Sequence, residues 1–240
     1  MLASRRMAVI HILSAGAAQS VAENIAARFE SETGCKVQAA FGAVGAMKAR
    51  VIAGEPADVI ILTAALIEEL VASGHVVAGT RRDLGTVGTG VAVRAGAPLP
   101  GVADSGRLRG SLLAAEGILC PDPAVATAGK VVMRALELLG IVDAMRSRLQ
   151  FFPNGYAAMN QLASGSRPWE IGITQTTEIL ANKGVTYVGS LPAELQMKTV
   201  YSAGVAAEAT NPDAARQFIA RLTAPEARAM LQAAGYEFSN

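Results

Sequence analysis

Over the first 75 residues, short apolar runs alternate with helix-patterned segments, and each strand passes to its helix through small residues. AVIHIL (8–13) leads into SAGAAQS (14–20) and then VAENIAARFESETG (21–34), where Val21, Ile25 and Phe29 recur at helical spacing. Gly34 closes that run as a C-terminal cap. KVQAAFG, a Gly-Ala-Val-Gly turn and AMKARVIAG repeat the scheme, and ADVIILT with AALIEELVASG repeats it again. Strict strand–helix alternation predicts a parallel sheet with right-handed crossovers. The composition agrees: 51% of residues are hydrophobic, 17% charged and only 5% aromatic, as suits buried strands covered by helices.

The pattern then changes. TVGTGVAVRAGAP (86–98) reads as one strand carrying internal glycines, and PLPGVADSGRLRG as a loop entering a short helix. EGILCPDP is a strand and loop, and AVATAGKVVMRALELLG a long helix opening at Ala126-Thr127-Ala128-Gly129. LQFFPNG and YAAMNQLASG give strand, turn and helix; WEIGITQTTEIL gives a strand and a further loop. VTYVGSLPAEL and TVYSAGVAA read as returning strands, and Asn211-Pro212-Asp213 starts a closing helical pair. No internal repeat is visible. The strands near 86–96 and 198–207 are expected to be paired crossings between two lobes. That sets lobe 1 at 1–86 and 197–240, lobe 2 at 87–196, and a ligand cleft between them. A length of 240 residues is enough for two such cores.

Several function classes drop out. The net charge is +1 with no long basic run, so a nucleic-acid face is not expected. No apolar run reaches membrane-spanning length. Cys35 and Cys120 lack metal spacing and read as buried free thiols. The chain shows no nucleophile elbow, phosphate loop, dinucleotide fingerprint or paired-His zinc motif, so neither a cofactor nor a metal is expected and no catalytic residue is assigned. His11, inside an apolar strand, reads as structural, and His75 as exposed. MLASRRMAVIHILSAGA loosely imitates an export signal, but the amphipathic segment that follows makes it read better as a first strand.

Three turns leave a strand's carboxyl end and open a helix, where N–H groups and a partial positive charge gather: SAGAAQS, GAVGAM and VATAGK. They nominate Ser14, Ala15, Gly16, Val44, Gly45, Ala126 and Thr127 as ligand-binding residues. Ser14 is either an anion donor or a helix cap, and Thr63 either faces the cleft or caps the next helix. Asn154, Gly155 and Tyr156 occupy another such corner, and TQTTE (174–178) offers hydrogen-bonding side chains, Gln175 among them. Lys48 either reaches a ligand carboxylate or belongs to a solvated helix face.

ENIAARFESETGCKVQAAFGAVGAM, AGEPADVIILT and the ending FIARLTAPEARAMLQAAGYEF resemble the molybdate-binding-protein branch of bacterial solute-binding proteins over nearly the whole chain. The resemblance implies a two-lobed type II periplasmic-binding fold, α/β, each lobe a mainly parallel sheet flanked by helices, closing on a small anion. It also implies a monomer outside the cytoplasm that passes its ligand to a transporter permease. The two serines and the tyrosine with which that branch holds its oxyanion fall here at Ala17, Val44 and Gln175. An organic carboxylate is therefore expected rather than molybdate. A small related branch, the aconitate isomerases, implies the alternative: a cofactor-independent isomerase of an unsaturated acid, working in the cytoplasm.

Overall fold

The computed structural model describes residues 8–238. The first seven residues of the export-signal-like stretch, and the outer limits of the expected lobe 1, lie outside the described residues. Among the described residues ten strands form two five-stranded sheets. The first contains β1 (Val9–Ala15), β2 (Lys36–Gly42), β3 (Val59–Thr63), β4 (Arg82–Val87) and β10 (Thr199–Val205), in the order β2-β1-β3-β10-β4. The second contains β5 (Thr89–Arg94), β6 (Gly117–Pro121), β7 (Leu149–Phe152), β8 (Glu170–Gln175) and β9 (Val185–Ser190), in the order β7-β6-β8-β5-β9. The two orders are equivalent. In each, three neighbouring strands are parallel, and a fourth, arriving from across the molecule, pairs antiparallel on both sides. The sheets are therefore mixed, because the crossing strand runs back against its neighbours.

The helices follow from their apolar stripes. α1 (Gln19–Thr33) buries Val21, Ala22, Ile25 and Phe29, and ends at Gly34, whose φ of 70° needs a residue without a Cβ. α2 is Val44–Ile52 and α3 Ala64–Ala72 in the first lobe; α4 (Ser105–Ala114), α5 (Thr127–Leu138), α6 (Val142–Met145), α7 (Gly155–Ser164) and α8 (Thr176–Leu180) belong to the second. α9 (Pro212–Leu222) and α10 (Arg228–Ala233) return to the first lobe, where Phe218 meets Phe29 edge-to-face at 5.6 Å. Buried Asp58 fixes that return: its carboxylate accepts from the backbone N–H groups of His11 (2.8 Å) and Asn211 (2.8 Å) and from the Thr210 hydroxyl (3.1 Å). Among the described residues no helix is long and apolar enough to cross a membrane.

Three local expectations are corrected. The stretch 86–98 is two strands in two sheets, broken at Gly88, whose carbonyl accepts from both N–H and hydroxyl of Thr176 (2.9 and 3.0 Å). The strand near 198–207 stays inside the first sheet, so the second crossing is the segment 191–198. Gln196 ties the crossings together: its amide accepts from Thr89 N–H (2.9 Å) and donates to Thr89 C=O (2.8 Å), imitating a strand partner. The residues after Thr174–Gln175 form the short helix α8 instead of a loop.

Candidate functional site

The carboxyl ends of β1, β2, β6 and β8 and the openings of α2, α5 and α7 surround one narrow cavity of about 20 Å³. That is room for about one water molecule, far below the roughly 300–1,000 Å³ of drug-sized sites, so any larger ligand needs the lobes to part. Ala15, Gly16 and Ala17 line it from the end of β1, and Gly42, Ala43 and Val44 from the start of α2. Facing them are Pro121, Ala126, Thr127 and Ala128 at the start of α5, then Asn154 and Gly155 at the start of α7. Gln175, Glu178 and Tyr201 close it. No lysine, arginine or histidine is among the lining residues.

The positive end of this site is therefore backbone. The N-cap residues of α2 and α5 are Ala43 and Ala126, and neither can place a side-chain oxygen over the first N–H groups. Both helices are long enough to present a partial positive charge to the cavity. α7 differs, because the Asn154 carboxamide caps it, accepting from Ala157 N–H at 2.8 Å. Small residues let these helices come close. A Cβ on Gly129 would stand 2.3 Å from the Pro121 carbonyl oxygen, and one on Gly155 only 1.8 Å from Glu178 Oε2.

Gln175 carries the clearest ligand signal. It is 2% exposed, it lines the cavity, and neither its amide oxygen nor its nitrogen has a partner at hydrogen-bonding geometry, although the Tyr201 phenol lies nearby. A buried amide left unpaired is costly, and a polar ligand would relieve that cost.

Glu178 is the second unusual group. Only 5% exposed, it accepts from the Thr174 hydroxyl at 2.5 Å, and the backbone N–H groups of Gly155 and Gln175 lie near enough to favour its charged form. Burial outweighs these effects and pushes its carboxyl up to about 7. The buried Tyr201 phenol is held well above its ordinary range, first by burial and then by the Glu178 charge. Buried Cys120, the residue before the lining Pro121, is pushed by burial to about 12 and stays a thiol.

The structure brings together Ala15, Gly16, Val44, Ala126, Thr127, Asn154, Gly155 and Gln175. Five nominated residues are placed elsewhere. The Ser14 hydroxyl is buried and donates to the Ala15 carbonyl at 3.0 Å. Thr63 caps α3, accepting from Leu66 N–H at 3.3 Å. Gly45 sits at the contact between lobes, its N–H donating to the Val125 carbonyl at 2.9 Å. Tyr156 stacks outside the cavity over Gly16, with its hydroxyl toward Ser20. Lys48 is ion-paired with Glu69 on α3 and supplies no charge to the site. Glu178 and Tyr201 escaped sequence reasoning. Glu178 looked like one polar residue of a loop, and its only local signal was a carboxylate placed one helical turn after Thr174.

A family model for "Bacterial extracellular solute-binding protein" matches residues 10–237. The chain is 27% identical to an aconitate isomerase of Pseudomonas sp, over 98% of this chain and 90% of that protein. It is 25% identical to the molybdate-binding protein ModA of Escherichia coli K12, over 95% of this chain and 88% of the relative. Among solved structures, the periplasmic molybdate-binding protein of Azotobacter vinelandii superposes with a TM-score of 0.80 at 24% identity, covering 96% of this chain and all of that one. With this match over nearly its whole length and a two-lobed structure around one small cavity, the chain belongs to the bacterial extracellular solute-binding protein family.

Proposed function

We propose that the protein captures a small organic carboxylate between its lobes and, as an extracytoplasmic binding protein, delivers it to an ABC-type permease. The observation that carries this reading is the unpartnered Gln175 amide, lining a cavity that also receives the start of α5 and that of α2, neither capped by a side chain, with only the Gly45 N–H of α2 taken by the Val125 carbonyl. Backbone N–H groups and helix ends suit an anion without requiring a lysine or arginine. Val44 and Ala17 put apolar surface where a tetrahedral oxyanion would want hydroxyl donors, which favours a ligand with a carbon skeleton.

One observation favours a second reading. Glu178, poised at about 7 within the cavity, has the proton affinity of a general acid–base near neutral pH. In an isomerase of an unsaturated carboxylic acid, its carboxylate would take a proton from the allylic carbon. As the double bond shifts, the proton would return to the far end of the same three-carbon unit. The reaction balances without oxidant or cofactor, and the relative from Pseudomonas sp carries the name of such an enzyme.

A thermal-shift screen of sulfate, molybdate, tungstate, phosphate, citrate, succinate and both aconitate isomers tests the capture reading. A carboxylate should stabilise the protein and molybdate should not. Proton NMR of the stabilising carboxylate with catalytic amounts of protein then separates the readings. An unchanged spectrum means capture alone, and drift toward a second isomer means catalysis.

A further inference from the structure

We infer that Glu178 makes ligand capture proton-linked: the site takes up one proton with its carboxylate ligand and holds that proton between Glu178 and the ligand. The inference rests on the capture reading above and names what the ligand must bring with it.

The geometry is that of a carboxyl group standing in an anion seat. Glu178 lines the cavity, and its oxygens lie against two glycines that also line it, Gly16 from the first lobe and Gly155 from the second. A Cβ on Gly16 would be 2.7 Å from Oε1, and one on Gly155 would be 1.8 Å from Oε2. The backbone N–H of Gly155, at the start of α7, already lies beside this carboxyl and favours its charged form. An incoming carboxylate thus meets a helix terminus partly occupied by the protein's own acid. Two bare carboxylates at such range in a water-poor site cannot both remain charged, and one shared proton removes the conflict.

Among the described residues no neighbouring cation offers another solution. The titratable groups facing Glu178 are the half-buried Tyr156 of α7 and the buried Tyr201 of β10 and Tyr236 after α10, all phenols held protonated. Tyr187 of β9 bonds Ser190 instead (2.9 Å). Arg94 of β5 lies five residues along the strand from Thr89, the partner of Gln175, which is roughly 17 Å away. Lys183, beyond the end of α8, is exposed. The 3-10 turn Gly16–Ala18 contributes no charge. Burial also places the Glu178 carboxyl at about 7, where the linkage would show near neutral pH.

The test is isothermal calorimetry with the tightest binder among trans-aconitate, cis-aconitate, citrate, succinate and sulfate. It is run at pH 6 to 9 in pairs of buffers differing in ionisation enthalpy. We expect close to one proton taken up per ligand at pH 8, and a Kd that rises about tenfold per pH unit above 7. In Glu178→Gln the uptake should vanish and the pH profile flatten, while Glu178→Asp should retain a displaced linkage. A panel member that binds with no uptake at pH 8 overturns this inference and leaves capture standing. If no panel member binds, the capture reading fails and the inference with it. Uptake that persists in a folded Glu178→Gln also overturns it, by assigning the proton to another group.

Discussion

The two lobes share one strand order but use the end of their third strand differently. β3 ends at Thr63 and β8 at Gln175, equivalent positions beside the crossing strand. Thr63 turns its hydroxyl back onto Leu66 N–H, and α3 runs for nine residues. Gln175 caps nothing: its amide is buried and unpaired, α8 runs for only five residues, and that short helix carries buried Glu178. One corner satisfies its own backbone. The other leaves two polar groups facing a cavity, a local cost that natural folds accept where something is to be bound.

The largest expected effect sharpens this contrast through pH. Glu178 has its proton affinity raised in the folded state above the ordinary carboxyl value of 4.5. The native state therefore binds the proton more tightly than the unfolded chain. The resulting stabilisation is full below about pH 4.5 and is lost as pH rises toward 7, amounting to on the order of 3 kcal/mol. Glu178→Gln should lose less stability than the parent protein between pH 4.5 and 8, as measured by chemical denaturation. Equal slopes would mean the carboxyl is not buried as described.

Next comes a pair of glycine substitutions at matching strand–helix corners. Gly155→Ala drives a methyl group into Glu178 and Thr174, and should cost about 2 kcal/mol and lower Tm by roughly 4–8 °C. Gly42→Ala, in the first lobe, meets only the mobile end of Met47 and should cost about half as much. Similar losses would break the claim that the second lobe's corner is the constrained one.

Thr63→Ala and Gln175→Ala then separate stability from binding. The first removes a cap and should cost about 1 kcal/mol, with carboxylate affinity unchanged within about twofold. The second removes an unsatisfied amide and should leave Tm within about 2 °C while weakening carboxylate binding about tenfold or more. Reversed outcomes, read by calorimetry and thermal melts, would exchange the roles of the two corners. The smallest effect is expected from Val44→Ser, which restores a hydroxyl at the start of α2. Sulfate or molybdate affinity should rise several-fold, and no gain would mean that position 44 does not touch the ligand.

The sequence makes the first lobe easy to read because its strands are contiguous and its turns follow one scheme. Val9–Ala15, Lys36–Gly42 and Val59–Thr63 each stand where an apolar run predicts them. The second lobe is harder for a physical reason. Gly88 breaks one apolar run into strands of different sheets, and no local pattern records which sheet a residue joins. The same holds at the cavity. Small residues at the openings of α2, α5 and α7 mark where backbone is left bare, and the turns therefore indicated the region. The burial of Glu178 depends on Gly16 and Gly155, 162 and 23 residues away in the chain, so its periodicity carries no trace of it. Lys48 misleads in the opposite sense: a cation one turn into α2 suggests an anion site until Glu69 on α3 claims it.

The slot that β10 fills between β3 and β4 has a consequence for how the molecule is made. Those two strands leave the ribosome early, but the strand that joins them follows roughly 120 residues behind β4. At about 5–20 residues per second, the gap stays open for roughly 6–24 s of synthesis. Over that interval the second sheet, whose five strands form one uninterrupted stretch of chain, can close around its own core. The first cannot, and the unpaired edges of β3 and β4 stay available to chaperones or to one another. The first sheet is thus kept from reaching its final strand order until β10 has been translated.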